Sequence, residues 1–575
     1  MTAPQSSQRA RSGGLGERWM LWFFFLGIFL LLCALRLPLA DYPIRDVDES
    51  VSALIAVEWL EGGVPYRDAI DQRGPVTYIL YALTFLVAGQ HNMLAVHWVL
   101  LLLIFGGCLL LFRFAAELGG ERLPSPHNIP SHQALDLPTG YLAALLLAVC
   151  SFTYRRSQML AFHTEWPVII LSTLGMWWVW RRLQQSAAGR VPEPAVVGSL
   201  FLAGLAFGGA FLSKQPAVFD GAAAGGFLLA WQWRWGKLFH RQTLLRATAL
   251  AGGFFTVLGL CIGYFAFAGA LGDFYLYFWQ YNVEHYTAVI PAADRLHALD
   301  PFLHRRHYLT ANPLLFLACA LALARVVSAI FERGRRAVNT RFFLVLWLLA
   351  AYFGASYSGR NFGHYFIQIL APACLLTALL LRELWLRAGG GKESASRAWT
   401  LGRRAALVAL VVVGLGYSVH RFGDDAALAK LGEPPPRPGA QEALVEHLQR
   451  STSPEDRIFV WGYNPEIYVL AHRRPATRYS NTNYLTGMLP WENHAPEIDT
   501  SEHIVDGAWD ILMAELEATP PAVIIDTAIG NHRYYRKYPI EDFPRLETYL
   551  HQHYLYSTTV RDHRGRPYYN VYRRK

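Results

Sequence analysis

Three carboxylate side chains, Asp46, Asp48 and Glu49, follow closely on the first long apolar segment of the chain. A carboxylate held next to a hydroxyl group can take its proton and act as a general base. At the mouth of a bundle of membrane helices, such a group could activate an acceptor hydroxyl for attack on a bound substrate. Asp48 and Glu49 are therefore the candidate catalytic residues.

An amphipathic helix is expected to hold these acids. Asp48 stands where a helix N-cap belongs, Glu49 opens the first turn, and Gly62-Gly63 is typical of a helix end. Capping alone would explain Asp48, although capping and base catalysis are compatible roles. Four apolar residues share one face and predict a helix lying on the membrane surface: Val51, Leu54, Ile55 and Trp59.

Basic side chains recur in later segments between apolar runs. Lys214, in a Lys-Gln-Pro sequence, either extends to the membrane surface or sits over a lipid phosphate. Asp220, just inside the next apolar run, is a candidate partner for it, because an acidic group within a membrane needs pairing. Arg360 and His364 are four residues apart and would present one cationic face to a pyrophosphate or phosphate leaving group.

Aromatic residues crowd the segment from Asp273 to Asn282, which reads Asp-Phe-Tyr-Leu-Tyr-Phe-Trp-Gln-Tyr-Asn. Such a segment is typical of the aromatic belt at a membrane surface. Aromatic rings also stack on sugars, so binding of a donor or acceptor is the alternative.

The elements that must position these groups are transmembrane helices. Hydrophobic residues make up 53% of the 575 residues and charged residues only 17%, too apolar for an ordinary soluble enzyme. The chain is thus predicted to be a polytopic α-helical membrane protein with about eleven spans. These lie near 19–38, 93–117, 139–153, 166–181, 197–213, 216–233, 248–269, 312–331, 342–357, 365–386 and 404–419. The apolar segment 76–88 is too short to cross alone and is expected at the interface or leading into the next helix.

The distribution of charge predicts the topology. The net charge is +9, but the tail from about residue 420 is mildly acidic, so the basic surplus lies in the hydrophobic part and disfavours a nucleic-acid partner. Basic residues concentrate in alternate loops, which predicts a cytoplasmic N-terminus in the plasma (inner) membrane. An odd number of spans then places the C-terminal tail outside the cytoplasm.

Three regions are expected from this topology. They are a cytoplasmic N-terminal tail (1–18), a membrane domain (19–419) with an acidic first outer loop (39–75), and an extracytoplasmic α/β domain (420–575). A Gly/Pro-rich linker at 432–439 precedes the tail. Helix-like runs near 440–450 and 506–518 alternate there with strand-like runs at 457–461 and 521–526.

The first outer loop carries a family resemblance. Asp48-Glu49 at a helix start is followed about 25 residues later by Arg73-Gly74-Pro75 and an apolar helix with aromatic residues. This pattern resembles membrane glycosyltransferases of the GT-C type, such as protein O-mannosyltransferases and the aminoarabinose transferases of lipid A. The resemblance implies a polyprenyl-phosphate sugar as donor and the lipid bilayer as surroundings.

The resemblance also implies roles for individual residues. Asp48 matches the family's proposed catalytic base, with Glu49 as its usual neighbour, and Arg73 would contact the donor phosphate. Arg73 stands in place of a lysine and Gly74 in place of a proline, which keeps a cation and a tight turn, although Arg binds phosphate as a fork. Lys214 fits a recurrent Lys-x-Pro sequence of the family.

A second outer loop ends in His163-Thr164-Glu165. Glu165 matches an acidic residue that faces the active-site cavity in related enzymes, where it would orient the acceptor or help to bind a metal. His163 is either a metal ligand or a hydrogen-bonded histidine at the membrane surface, and two ligands fall short of the usual three or four. No cofactor is assigned, and a divalent metal is allowed.

The predicted function is an inverting transfer of a sugar from a polyprenyl-phosphate donor to a hydroxyl of a protein, lipid or glycan acceptor on the outer face of the membrane. One alternative is a transporter or flippase of a lipid-linked sugar, although the sequence has no evident inverted repeat. The other is a non-catalytic envelope assembly protein. An oligosaccharyltransferase is disfavoured because the tail has no Trp-Trp-Asp sequence.

Overall fold

The computed structural model describes residues 14–36, 42–120, 135–153, 156–300, 312–360, 362–389, 397–423 and 439–575. Most of the predicted N-terminal tail and all but the last residue of the predicted linker lie outside these residues. The helices of the first part of the chain are α1 (Gly14–Arg36), α2 (Val47–Leu60), α3 (Pro75–Ala88), α4 (Met93–Gly119), α5 (Leu137–Thr153), α6 (Arg156–Leu160), α7 (Glu165–Ala187), α8 (Glu193–Phe211), α9 (Val218–Arg234), α10 (Arg241–Phe267), α11 (Leu271–Phe274), α12 (Ala292–His297), α13 (Pro313–Arg333), α14 (Thr340–Ser356), α15 (Leu370–Gly389) and α16 (Arg397–Gly423).

Each predicted span coincides with a helix among the described residues, but α7 and α9, at the predicted spans 166–181 and 216–233, are not among the helices whose length and composition suffice to cross a membrane. Among the described residues of this part of the chain, seven helical segments are long and apolar enough to cross a membrane. They are built on α1, α4, α8, α10, α13, α15 and α16. The predicted spans at 139–153 and 342–357 form the shorter apolar helices α5 and α14. The protein is therefore a multi-pass α-helical membrane protein.

The helix α2 differs from its prediction in two respects. Its N-cap is Asp46, whose side chain accepts a hydrogen bond from the backbone N–H of Asp48, so Asp48 lies in the first turn. The residues from Glu49 to Val57 are all buried, and Val51 and Ile55 belong to the same hydrophobic cluster as Phe459 of the C-terminal part. The apolar side chains of α2 thus pack within the protein, whereas the sequence pattern predicted a helix on the membrane surface.

The C-terminal part is a small α/β domain, as predicted. Its elements are α17 (Ala440–Ser451), β1 (Arg457–Trp461), α18 (Glu466–Ala471), β2 (Arg474–Pro475), α19 (Asn483–Thr486), α20 (Ala508–Ala518), β3 (Val523–Asp526), α21 (Pro544–His553), β4 (Tyr554–Arg561) and β5 (Pro567–Arg574). The sheet order is β2-β1-β3-β5-β4. The strands β2, β1 and β3 are parallel, and the hairpin β4–β5 joins antiparallel to β3.

The parallel strands direct their carboxyl ends towards the first outer loop of the membrane domain. Tyr463 follows β1, and Tyr484 lies in α19 and donates a hydrogen bond from its hydroxyl to Oε1 of Gln72 at 2.9 Å. The backbone N–H of Ile70 donates to the carbonyl of Arg478 at 3.2 Å. Ligand sites of open α/β sheets lie beyond the carboxyl ends of the strands, and here that edge borders the acidic loop.

Candidate active site

The three acids at the start of α2, Asp46, Asp48 and Glu49, have different surroundings. Asp46 caps α2, with its Oδ1 atom 3.1 Å from the backbone nitrogen of Asp48. Glu49 is fully buried. Its carboxylate accepts backbone hydrogen bonds from Arg45 at 2.8 Å and Phe162 at 2.6 Å, and it lies 3.1 Å from Nε2 of His97. Glu49 therefore ties the predicted first outer loop to the predicted second one, whereas no backbone N–H of the described residues donates to the Asp48 carboxylate.

Asp48 forms an ion pair with Arg73. The same guanidinium contacts Asp71 at 2.7 Å, and Asp71 accepts a hydrogen bond from the Tyr78 hydroxyl at 2.9 Å. The side chains of Asp48 and Arg73 retain 16% and 17% of their exposure, so the pair borders open space. The first loop thus brings the predicted base and the predicted phosphate ligand into direct contact.

The electrostatics separate Asp46 from Asp48. Burial and the negative charge of Asp48 raise the pKa of Asp46 to about 6. Burial also acts to raise the pKa of Asp48, but Arg73 and His163 outweigh it and hold that pKa well below its usual range. Burial lowers the pKa of His163, but its contact with Asp48 and the charge of Asp46 raise it to about 8.

The predicted cations and the second-loop residues meet at the same place. Lys214 forms an ion pair with Glu165, and its ammonium group lies 3.3 Å from the ring centre of Tyr365. The rings of His163 and His364 stack with centroids 4.0 Å apart, and Nδ1 of His163 lies 3.5 Å from Oδ2 of Asp48. Side chains that are far apart in the sequence therefore form one charged cluster.

The residue types of this cluster could hold a divalent metal, but the present orientation of the two imidazole rings does not fit one. Asp48, His163 and His364 offer ligand atoms that lie within 4.8 Å of one another. A metal ion lies about 2 Å from an imidazole nitrogen, along a lone pair in the plane of the ring, and two parallel stacked rings do not aim their lone pairs at one ion. A proton also competes, because the pKa of His163 is about 8. One imidazole would have to turn out of the stack.

Two cavities meet at Lys214. A polar cavity of about 330 Å³ is lined by Asp46, Asp48, Arg73 and His364 among others. An apolar cavity of about 610 Å³ extends from it along side chains of α9, α10, α11 and the following π-helical turns, and its wall includes Glu165. Five residues border both cavities: Lys214, Gln215, Asn282, Tyr286 and Tyr365.

The aromatic segment 273–282 follows α10 and borders the apolar cavity. It forms α11 and a π-helix, Tyr275–Gln280, and Tyr275, Phe278 and Trp279 line the apolar cavity. Several rings of this segment therefore face a cavity, in addition to any contact with the membrane surface.

Arg360 lies behind the cavity wall. Within the described part of the chain, Glu49, His163 and Arg360 line neither cavity. The Arg360 guanidinium lies 3.7 Å from the ring centre of Tyr286 and donates to the carbonyls of Tyr286 at 3.0 Å and Pro490 at 3.3 Å. It does not line the polar cavity with His364; the 3₁₀ helix that holds His364 begins only at Gly363, so the two residues do not lie on one helical face.

The predicted pairing of Lys214 with Asp220 is wrong. Asp220 is fully buried and accepts hydrogen bonds from Ser172 at 2.7 Å and Gln368 at 3.1 Å. Lys214 turns instead to Glu165. Neighbouring helices supply both partners, so the spacing within one segment did not reveal them.

Residues that were not predicted as site residues also line the polar cavity. Asp46 is one, and its place beside Asp48 was the available signal. Tyr463, Pro490 and Trp491 come from the C-terminal domain. Tyr463 comes two residues after the end of the strand-like run at 457–461, where ligand-binding residues of α/β domains are common. Nothing in the local sequence marked Trp491.

Over more than nine-tenths of its length the chain shares its fold with solved structures of the kind that the first-loop resemblance implied. One solved structure with this fold is the archaeal oligosaccharyltransferase AglB from Archaeoglobus fulgidus in complex with an inhibitory peptide and a dolichol-phosphate. It is 12% identical, with a TM-score of 0.54 over 95% of this chain and 74% of that chain. ArnT from Cupriavidus metallidurans in the apo state is 13% identical, with a TM-score of 0.52 over 97% of this chain and 98% of that chain.

A third structure, the A. fulgidus oligosaccharyltransferase in complex with Zn and sulfate, has a TM-score of 0.50 at 12% identity and covers 93% of this chain and 72% of that chain. No protein-family model matches the sequence. No curated protein matches it either. At this level of identity the likeness establishes the fold, and the chemistry must be argued from the site.

Proposed function

We propose that this chain is an inverting glycosyltransferase that moves a sugar from a polyprenyl-phosphate donor to an acceptor hydroxyl at the outer face of the membrane. The observation that carries the proposal is the meeting of an apolar and a polar cavity at Lys214. A ligand that fits both has a long hydrocarbon part, an anionic group at the junction and a polar head. A lipid-linked sugar phosphate has these three parts in this order.

The cations of the site would hold the donor phosphate. Lys214 lies at the junction of the cavities and Arg73 lines the polar one. Both are paired with carboxylates, so phosphate binding would exchange these partners. The structure of AglB with a dolichol-phosphate supports a lipid phosphate as the ligand of this fold.

Asp48 would then serve as the general base. The acceptor oxygen attacks the anomeric carbon, the bond from that carbon to the phosphate oxygen breaks, and polyprenyl phosphate leaves with the bonding electrons. Arg73 and Lys214 stabilise the negative charge that develops on the leaving phosphate. Attack opposite to the leaving group inverts the anomeric configuration.

The pairing of Asp48 with Arg73 couples donor binding to base strength. A carboxylate whose pKa lies well below its usual range is a weak base. When the donor phosphate takes a share of Arg73, the pKa of Asp48 rises, and Asp48 becomes a better base with the substrate in place. Asp46, whose pKa of about 6 suits proton transfer, is the second candidate for this role.

The other roles follow from position. Glu165 would position Lys214, and through it the phosphate. Glu49 and Arg360 would hold the loops, and no step of this mechanism passes through a metal ion. We place the cavities and the C-terminal domain outside the cytoplasm, at the plasma (inner) membrane, because basic residues concentrate in the loops of the opposite face.

The test is transfer by the purified protein in lipid vesicles. A panel of polyprenyl-phosphate sugars is supplied with envelope material as acceptor. The expected result is release of free polyprenyl phosphate together with a sugar-sized mass increase in one envelope component. Movement of the donor across the vesicle membrane without chemical conversion would instead establish a transporter and overturn the proposal, as would the absence of conversion of every donor.

A further inference from the structure

A tight turn of the C-terminal domain carries a tryptophan in an unfavourable backbone conformation. The backbone N–H of Glu492 donates to the carbonyl of Leu489 at 3.1 Å, which closes a turn around Pro490 and Trp491. Trp491 has a φ of 72°. In turns with proline in the second position and a positive φ in the third, the third residue is ordinarily Gly or Asn. A side chain with a Cβ atom is unfavourable there.

The surrounding contacts hold this turn in place from several sides. The side chain of Asn493 accepts a hydrogen bond from the backbone N–H of Leu489 at 2.7 Å. Arg360 of the membrane domain donates to the carbonyl of Pro490 at 3.3 Å, and Lys537 donates to the carbonyl of Asn493 at 3.2 Å. Backbone conformations of this kind persist where the surroundings fix them, and they are concentrated at functional sites.

The indole of Trp491 borders the same cavity as the predicted base. Trp491 lines the polar cavity together with Asp48 and Arg73, and it is not among the described residues that line the apolar cavity. It remains 44% exposed although it is large and apolar. Its ring meets that of Tyr534 edge-on, with centroids 6.0 Å apart. The lipid chain of a donor, in the apolar cavity, therefore does not contact this ring, whereas a sugar in the polar cavity, of the donor or of the acceptor, would meet it.

We propose that Trp491 is the acceptor-binding residue and that the acceptor presents a sugar ring to it, an inference that rests on the proposed transferase function. A pyranose ring offers a face of C–H groups that packs on an aromatic ring, while its hydroxyls stay hydrogen-bonded at the edge. An indole is rigid and large, so it orients such a ring at little cost in conformational entropy. The acceptor hydroxyl would be turned towards Asp48.

Trp491→Gly tests this assignment without destabilising the turn. Glycine adopts a positive φ readily, so the melting temperature should equal or exceed that of the wild-type protein. Binding is followed by saturation-transfer NMR with chitobiose and maltose as sugar probes and a serine-containing peptide as the non-sugar probe. Loss of a stacking contact should weaken sugar binding about tenfold or more, while binding of polyprenyl phosphate stays unchanged. Tyr556→Ala, at a 60% exposed position on β4 outside the cavities, is the matched control.

Other outcomes would overturn the assignment. These are an unchanged affinity for sugars in Trp491→Gly, binding of the peptide but of neither sugar by the wild-type protein, or no binding of any probe. The transferase assay separates this inference from the function on which it rests. If the wild-type protein converts a polyprenyl-phosphate donor and Trp491→Gly keeps the acceptor KM, only the acceptor assignment fails. If no donor is converted, the proposed function fails with it.

Discussion

Replacing Asp48 by asparagine removes a negative charge from the polar cavity while it keeps the size and shape of the side chain. General-base catalysis contributes about 10²- to 10⁴-fold to a rate, which corresponds to roughly 3–5 kcal/mol of transition-state free energy. We therefore expect kcat/KM for sugar transfer to fall by that factor. The fold should survive, because Arg73 keeps its second partner, Asp71, at 2.7 Å. The loss in the free energy of unfolding should stay below the ~3–5 kcal/mol that removal of one partner from a fully buried ion pair costs.

The measurement compares Asp48→Asn with Asp46→Asn in lipid vesicles, with donor binding followed in parallel. Asn is as good an N-cap as Asp, so Asp46→Asn keeps the start of α2 and changes only the charge of the neighbouring acid. Full activity of Asp48→Asn would refute the assignment of the base. A large loss in Asp46→Asn with little change in Asp48→Asn would move that role to Asp46. Loss of donor binding in Asp48→Asn would show that the aspartate acts on Arg73 and the phosphate rather than on the acceptor.

Three further predictions concern the surrounding residues. Lys214→Gln keeps a hydrogen-bond donor for Glu165 but loses the charge, so the affinity for polyprenyl phosphate should fall about 10- to 100-fold. The control is Glu165→Gln, which should bind polyprenyl phosphate at least as tightly as Lys214→Gln does. Equal affinity of Lys214→Gln and the wild type would contradict the prediction. Arg360→Lys loses the planar guanidinium that bridges the carbonyls of Tyr286 and Pro490. Because Pro490 belongs to the turn that carries Trp491, the acceptor KM should rise while the donor affinity stays unchanged. Reduced donor affinity would instead restore Arg360 as a phosphate ligand. The pKa of His163 is raised above its ordinary 6.5 to about 8, so protonated His163 stabilises the folded state by about 2 kcal/mol. This contribution is complete below pH 6.5 and is lost as the pH rises through 8. The melting temperature should therefore fall over this pH range in the wild type and not in His163→Gln.

The predictions that succeeded concern features that are local in the sequence. A helix that crosses a bilayer must satisfy its backbone within one continuous apolar segment, so apolar runs alone located the membrane helices. The strands β1 and β3 were equally visible as short apolar runs. The hairpin β4–β5 was not predicted, because most residues of β4 are exposed or half-buried and its sequence lacks a continuous apolar run.

Local signals were less accurate within the site. Both Asp46 and Asp48 are good N-cap residue types, and only the backbone contact at 3.1 Å assigns the cap to Asp46. That contact leaves Asp48 available to Arg73. The partners of Glu49 come from three separate segments of the chain, so its role in holding the two outer loops together could not be deduced from its place beside Asp48.

By itself the sequence determined the membrane fold, the acidic first loop and the succession of an acid and, about 25 residues later, a cation, because each depends on composition or short spacing; the ion pair between Asp48 and Arg73 came from the tertiary structure. The tertiary structure decided what those groups face. It turned Lys214 towards Glu165, put Arg360 behind the cavity wall, and brought Tyr463 and Trp491 from the C-terminal domain to Asp48. The physical reason is that burial and charge pairing join side chains that lie tens to hundreds of residues apart, where sequence spacing carries no information about distance.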